Sequence, residues 1–271
     1  MKTSKSSSGA ETTTTGSEPD DRPEIGFSGL RKTFENGDEE LTVFSDLSFS
    51  ITEGSFTSIM GPSGCGKSTL LNVIAGLLEP DEGTIHLDGV EVAPGNFFYA
   101  YVFQEPRLLD WRTVGGNIAF ALQGKGIPEE EHDERIDRYL EMVGLADEAD
   151  SYPQQLSGGM RQRVGIARAL AIDPDILLMD EPFSSLDEFT AKELRQDLLD
   201  IWKKTGKTIV FVTHNASEAV FLSDTVLVLD GEGELFDHVS VDASRPREVG
   251  DQRLVETESN LMNRFFTHLD E

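Results

Sequence analysis

Residues 55–75 read Ser-Phe-Thr-Ser-Ile-Met-Gly-Pro-Ser-Gly-Cys-Gly-Lys-Ser-Thr-Leu-Leu-Asn-Val-Ile-Ala, and this stretch decides the fold. Ser55 to Met60 has the β-branched and aromatic content of a strand. From Thr69 to Ala75 the apolar residues Leu70, Leu71 and Ile74 fall at helical spacing, and Leu77 and Leu78 extend the pattern. Between strand and helix, Gly61-Pro62-Ser63-Gly64-Cys65-Gly66-Lys67-Ser68 fits the pattern Gly-x-x-x-x-Gly-Lys-Ser. Such a loop offers backbone N–H groups unobstructed by side chains, and the helix N-terminus behind it adds its dipole, so the pair cradles phosphate. Lys67 is expected to reach the β- and γ-phosphates of a nucleotide and the Ser68 hydroxyl to hold Mg²⁺, with Thr69 next in the turn. Cys65 is expected to point away from the phosphates and is given no chemistry.

Working outward, Ile176-Leu-Leu-Met179 is an apolar run of the kind buried on both faces, and it ends in Asp180-Glu181. A parallel strand delivers its C-terminal carboxylates to the sheet edge that carries the glycine loop. Asp180 is therefore expected to bind Mg²⁺ through water, and Glu181 to polarise the attacking water. Helices over Met160–Ala171, Glu188–Lys204 and Ala216–Leu222 alternate with strands over Thr208–Thr213 and Thr225–Leu229, which predicts an α/β domain with a largely parallel sheet. Gly83–Val92 and Phe97–Phe103 read as further strands, and Leu108–Leu145 as a charged helical region.

Composition bounds the function. The chain of 271 residues carries 23 Lys+Arg against 50 Asp+Glu, a formal net charge of -27, which repels nucleic-acid phosphates. That surface suits either a very salty interior or an ordinary acidic protein. A single cysteine forms no internal disulfide and fits a reducing compartment. No run approaches the ~20 apolar residues of a membrane span. Residues 1–23, rich in Ser and Thr, read as a disordered leader, 24–240 as the main domain and 241–271 as a polar tail whose Leu254 to Phe266 form one amphipathic helix packed on the domain.

Leu156-Ser-Gly-Gly-Met-Arg-Gln-Arg163 resembles the signature of the ATP-binding-cassette (ABC) ATPases, and the other cassette motifs follow in order through residues 24 to 240. The resemblance implies a P-loop NTPase with a RecA-like core of mixed, mainly parallel sheet, an antiparallel β subdomain and an inserted α-helical signature subdomain over about 105–159. It implies that Phe34 stacks on adenine, where the family more often has Tyr, and that Gln104 touches Mg²⁺ and the water. Ser157, Gly158, Gly159 and Gln162 are then expected to contact the ATP held by an opposite subunit, Asp187 to communicate across that dimer, and His214 to stand near the γ-phosphate. The implied partner is a second copy of the chain or a paralogous cassette.

One cassette without a coiled-coil insertion favours transport over the repair and translation branches of the family. Phe103 to Val114, Asn117 and Thr213 to Val220 are similar to the cassettes of nitrate, sulfonate and taurine importers, a group that includes cassettes for thiamine-precursor pyrimidines. This resemblance implies an ATPase at the cytoplasmic face of the membrane, with integral permease subunits and, indirectly, a solute-binding protein as partners. It also leaves open a stand-alone ATPase of lipoprotein release, cluster assembly or cell division. Leu108, Leu109 and Trp111 either line the groove for a permease or pack inside the subdomain. With the acidic surface added, a halophilic archaeon is the expected source.

Overall fold

Burial on both faces places the central strands. Every side chain of Ile176-Leu-Leu-Met179 is buried, with Leu177 and Met179 in one core and Ile176 and Leu178 in another. Successive strand residues point to opposite faces, so an unbroken apolar run needs cover on both. A computed structural model describes residues 24–36, 39–93, 98–248 and 250–269; the leader expected over 1–23 lies outside the described residues.

The chain runs β1 (Glu24–Asn36), β2 (Glu39–Thr52), β3 (Phe56–Met60), α1 (Lys67–Ile74), β4 (Glu82–Leu87), β5 (Val90–Val92) and β6 (Tyr99–Val102). It continues through α2 (Val114–Lys125), α3 (His132–Met142), α4 (Gly158–Ala171), β7 (Ile176–Asp180), α5 (Glu188–Thr205) and β8 (Thr208–Thr213). The last elements are α6 (Ala216–Leu222), β9 (Thr225–Leu229), β10 (Leu235–Ser240) and α7 (Gln252–Leu269). Gly83–Val92 is two strands rather than one, because Asp88 at φ 50° and Gly89 at φ 76° turn the chain back as a tight hairpin.

Two sheets result. β2-β1-β4-β5 is antiparallel, and β10-β9-β3-β8-β7-β6 is parallel from β9 to β6 with β10 antiparallel at its edge. One face of the larger sheet packs on α1 and the antiparallel sheet, through side chains such as Leu70, Ile74, Phe27 and Phe44. The other face packs on the remaining helices through Val164, Leu198, Leu222 and their neighbours. Leu254, Leu261 and Phe265 of α7 join that second core, as do Val241 and Ala243, so the core runs past residue 240. Val255 and Phe266 of the same helix stay exposed.

Register then sets the site. Met60 pairs with Thr213 and Asp180 with Val212, all in parallel strands. The next residues, Gly61, His214 and Glu181, therefore leave the sheet at one edge.

Candidate active site

The glycine loop curls over the end of β3 and opens α1. Gly64 and Gly66 take φ of 87° and 96°, the left-handed region that side-chain-bearing residues avoid. A Cβ on Gly66 would also stand 2.4 Å from Val43 Cγ1, and one on Gly61 would stand 2.7 Å from Cys65 Sγ. Cys65 is buried beneath the loop in the core shared with α1, and that burial raises its thiol pKa. Lys67 is 5% exposed, with Nζ donating to Gly61 O at 2.9 Å and Pro62 O at 2.8 Å. An ammonium has three donors, so one remains for an anion in the cleft. Ser63, Gly64, Gly66, Lys67, Ser68, Thr69, Gln104, Asp180 and Glu181 line that cleft together.

Ser68 Oγ donates to Asp180 Oδ1 at 3.1 Å, and Tyr101 donates its hydroxyl to Asp180 Oδ2 at 3.1 Å. Burial, followed by the charge of Asp180, drives the Tyr101 pKa up, so this phenol stays a donor. Glu181 Oε1 lies 3.8 Å from Lys67 Nζ, and Glu181 Oε2 lies 3.1 Å from His214 Nδ1. Glu181 itself sits at φ 43°, a conformation costing of order 1–3 kcal/mol for a residue with a Cβ. Its N–H donates to Val212 O at 3.0 Å, which holds the strained turn against β8.

Gln104 is exposed and lines the cleft; α4 holds its loop. Gln162 Nε2 donates to Phe103 O at 3.2 Å, and Arg168 donates to Pro106 O at 2.6 Å and Arg107 O at 3.0 Å. Burial lowers the Arg168 pKa. Gly165 lets α4 approach, since a Cβ there would stand 3.2 Å from Pro106 Cβ. Gln162 is thus 1% exposed and turned inward, and Gly159 is buried as well, whereas Ser157 is exposed and Gly158 half-buried at the start of the same helix. Ser157 caps α4, its Oγ accepting from Met160 N at 3.2 Å.

Gly158 lines a second groove with Glu105, Arg107, Leu108 and Leu186, so the signature is not brought to the phosphate cleft of its own chain. Asp187 caps α5, accepting from Thr190 N at 3.0 Å and Thr190 Oγ1 at 2.8 Å, and these bonds lower its pKa. Phe34 lies on β1, 41% exposed, and is not among the residues lining the cleft. Trp111 is 74% exposed, whereas Leu108 and Leu109 are half-buried. Sequence reasoning missed the holding roles of Arg168 and Tyr101; Gly165 and Arg168 in the otherwise apolar stretch Val164–Ala171 were the available signal.

A family model described as ABC transporter matches residues 44–184. The chain belongs to the ABC transporter family. This cassette is 46% identical over 235 residues to an uncharacterized ABC transporter ATP-binding protein of Methanocaldococcus jannaschii, covering 86% of this chain and 88% of that one. It is 47% identical over 197 residues to the taurine import ATP-binding protein TauB of Yersinia pestis, covering 72% and 77% of the two chains. The dimeric ATP-binding cassette MJ0796, solved in a post-hydrolysis state bound to ADP and Pi, superposes with a TM-score of 0.70 at 33% identity, covering 81% of this chain and all of that one. The cassette is accordingly an ATP-binding ATPase on the α/β P-loop NTPase fold, with its mixed and antiparallel sheets as expected from the sequence. Among the described residues, no helix is long and apolar enough to cross a membrane.

Proposed function

We propose that this cassette is the ATP-hydrolysing subunit of an importer for a small anion of the taurine, sulfonate or nitrate type. The observation that carries import is its 41–47% identity to several taurine import ATP-binding proteins over about three quarters of the chain. The catalytic assignments draw support from the meeting of Lys67, Glu181 and His214 at the sheet edge.

In this reading, the glycine-loop N–H groups and Lys67 bind the triphosphate of ATP. Glu181 takes a proton from water as the water oxygen bonds to the γ-phosphorus and the bond to the β–γ bridging oxygen breaks, leaving ADP and phosphate. His214 orients that water and the γ-phosphate, within reach of Glu181. Among the described residues, no group of three His, Cys, Asp or Glu could hold a metal alone, but Ser68, Asp180 and Gln104 offer hard oxygen donors that suit Mg²⁺ sharing phosphates with the nucleotide. When bound there, Mg²⁺ supplies charge neutralisation of the phosphates.

A second copy of the chain, or a paralogous cassette, supplies Ser157, Gly158 and Gly159 to the bound γ-phosphate, with Asp187 beside that contact. The groove beside Leu108 and the exposed Trp111 receive a permease at the cytoplasmic face of the membrane, and a solute-binding protein acts through that permease. The test is co-expression with permease subunits of a taurine-type importer from the same organism. The cassette should co-purify with them and its ATPase rate should rise with solute-loaded binding protein. A cassette that forms no complex with any such permease overturns the proposal.

A further inference from the structure

Among the described residues, His214 has one side-chain partner, Glu181, and its side chain is 52% exposed. Its position is therefore set by its backbone, and the two flanking residues are held from below. Thr213, 2% exposed, accepts from Asn215 N at 3.0 Å and donates its hydroxyl to Glu218 Oε2 at 2.7 Å. Asn215 Oδ1 in turn accepts from Ser217 N at 2.9 Å and Glu218 N at 3.3 Å, capping α6. Glu218 is buried at 9% exposure, and its other oxygen accepts from Arg195 Nη1 at 3.1 Å. Arg195, itself 8% exposed, reaches with Nη2 to Glu188 Oε1 at 2.5 Å. Glu188 opens α5 directly after Asp187.

The Glu218–Arg195 pair is buried, with exposed Glu188 at its rim, and a buried pair of this kind rarely adds net stability over apolar packing, so its geometry is the more telling property. We infer that Glu218, fixed by Arg195, is a positioning residue for ATP hydrolysis: through Thr213 it sets the turn that presents His214, and through Arg195 and Glu188 it ties that turn to the α5 start beside Asp187. The inference rests on the proposed role of His214. Burial raises the Glu218 pKa, while the Thr213 and Arg195 donors act against this shift.

The chemistry selects the test. Two donors, the Thr213 hydroxyl and the Arg195 guanidinium, converge on Glu218, and a carboxylate accepts both whereas an amide accepts only through its oxygen. Glu218→Gln should lower the single-turnover hydrolysis rate roughly 10- to 100-fold, the size expected for one charge-assisted buried hydrogen bond, with ATP affinity within about threefold of wild type. Thr213→Val, which keeps shape and loses the hydroxyl, should act alike, and Thr213→Ser should restore most of the rate. If Glu218→Gln does not fold, the Thr213 pair carries the same comparison.

In a His214→Ala background, Glu218→Gln and Thr213→Val should each cost less than about a further twofold, because the group they position is gone. Equal losses in both backgrounds, or wild-type rates in the folded single variants, overturn the inference while leaving the role of His214 standing. A His214→Ala protein that hydrolyses at the wild-type rate removes that role and the inference together.

Discussion

Asn117 offers the sharpest test of how the loop between the cleft and the helical subdomain is built. Its side chain is fully buried, and Oδ1 accepts from Leu109 N at 2.7 Å. Nδ2 faces three carbonyls, Thr113 at 2.9 Å, Leu109 at 3.2 Å and Arg112 at 3.3 Å. One amide thus fastens both ends of the loop that carries Trp111. Asn117→Ala removes two good hydrogen bonds at about 1 kcal/mol each and leaves the Leu109 N–H short of a partner at a further ~1–2 kcal/mol, about 3–4 kcal/mol together. For a chain of this size that lowers Tm by roughly 6–16 °C in calorimetry. Asn117→Asp keeps the acceptor for Leu109 but turns an oxygen toward the three carbonyls, so it should be no more stable than Asn117→Ala. ATP affinity should hold within about twofold in both variants, since Asn117 does not line the cleft. An Asn117→Ala protein melting within about 1 °C of wild type, or an Asp variant as stable as wild type, would refute this reasoning.

Three further outcomes follow from the same structure. A Cβ on Gly159 would stand 2.5 Å from Thr190 Cγ2, so Gly159→Ala should cost about 1–3 kcal/mol in urea unfolding; adding Thr190→Ser, which deletes that methyl and keeps the hydroxyl, should recover at least half. The Asp81 pKa is lowered to about 2, first by the hydrogen bond from Lys32 and then by those from Thr33. Because the folded value lies below the unfolded one, its contribution is full above about pH 4 and is lost as pH falls toward 2. The urea-midpoint gap between wild type and Asp81→Asn should therefore be present at pH 6 and shrink below pH 4, and a gap that widens in acid contradicts the assignment. With 50 acidic against 23 basic residues, raising KCl from 0.1 to 1 M cuts the screening length from about 10 Å to about 3 Å and should raise Tm; a flat or falling Tm contradicts the role given to self-repulsion.

The candidate phosphate cleft was legible in the sequence because its parts are local: a strand, a loop whose Gly61, Gly64 and Gly66 are fixed by close contact or positive φ, and a helix, with Asp180-Glu181 closing an apolar run. Register then needed only parallel pairing to bring Gly61, Glu181 and His214 to one edge. β1 was missed because Gly26, Gly29 and a polar end dilute its alternation, and only pairing with β2 and β4 defines it. Gln162 was expected among the dimer-facing signature residues from the family resemblance; its side chain turns inward to Phe103 O, about one turn after the likewise buried Gly159. The spacing of Asn215 and Glu218 resembles a capping box, but the carboxylate goes to Thr213 and Arg195 rather than back to the cap, a choice that only the packing of α5 against α6 makes.

In the proposed mechanism Glu181 is the base that activates water. Glu181→Gln preserves shape and removes the basic oxygen, so ATP affinity should stay within about threefold, an ATP-held dimer should accumulate in size-exclusion chromatography, and kcat should fall by roughly 10²–10⁴. Hydrolysis within about tenfold of wild type by that folded variant would contradict the assignment at its centre.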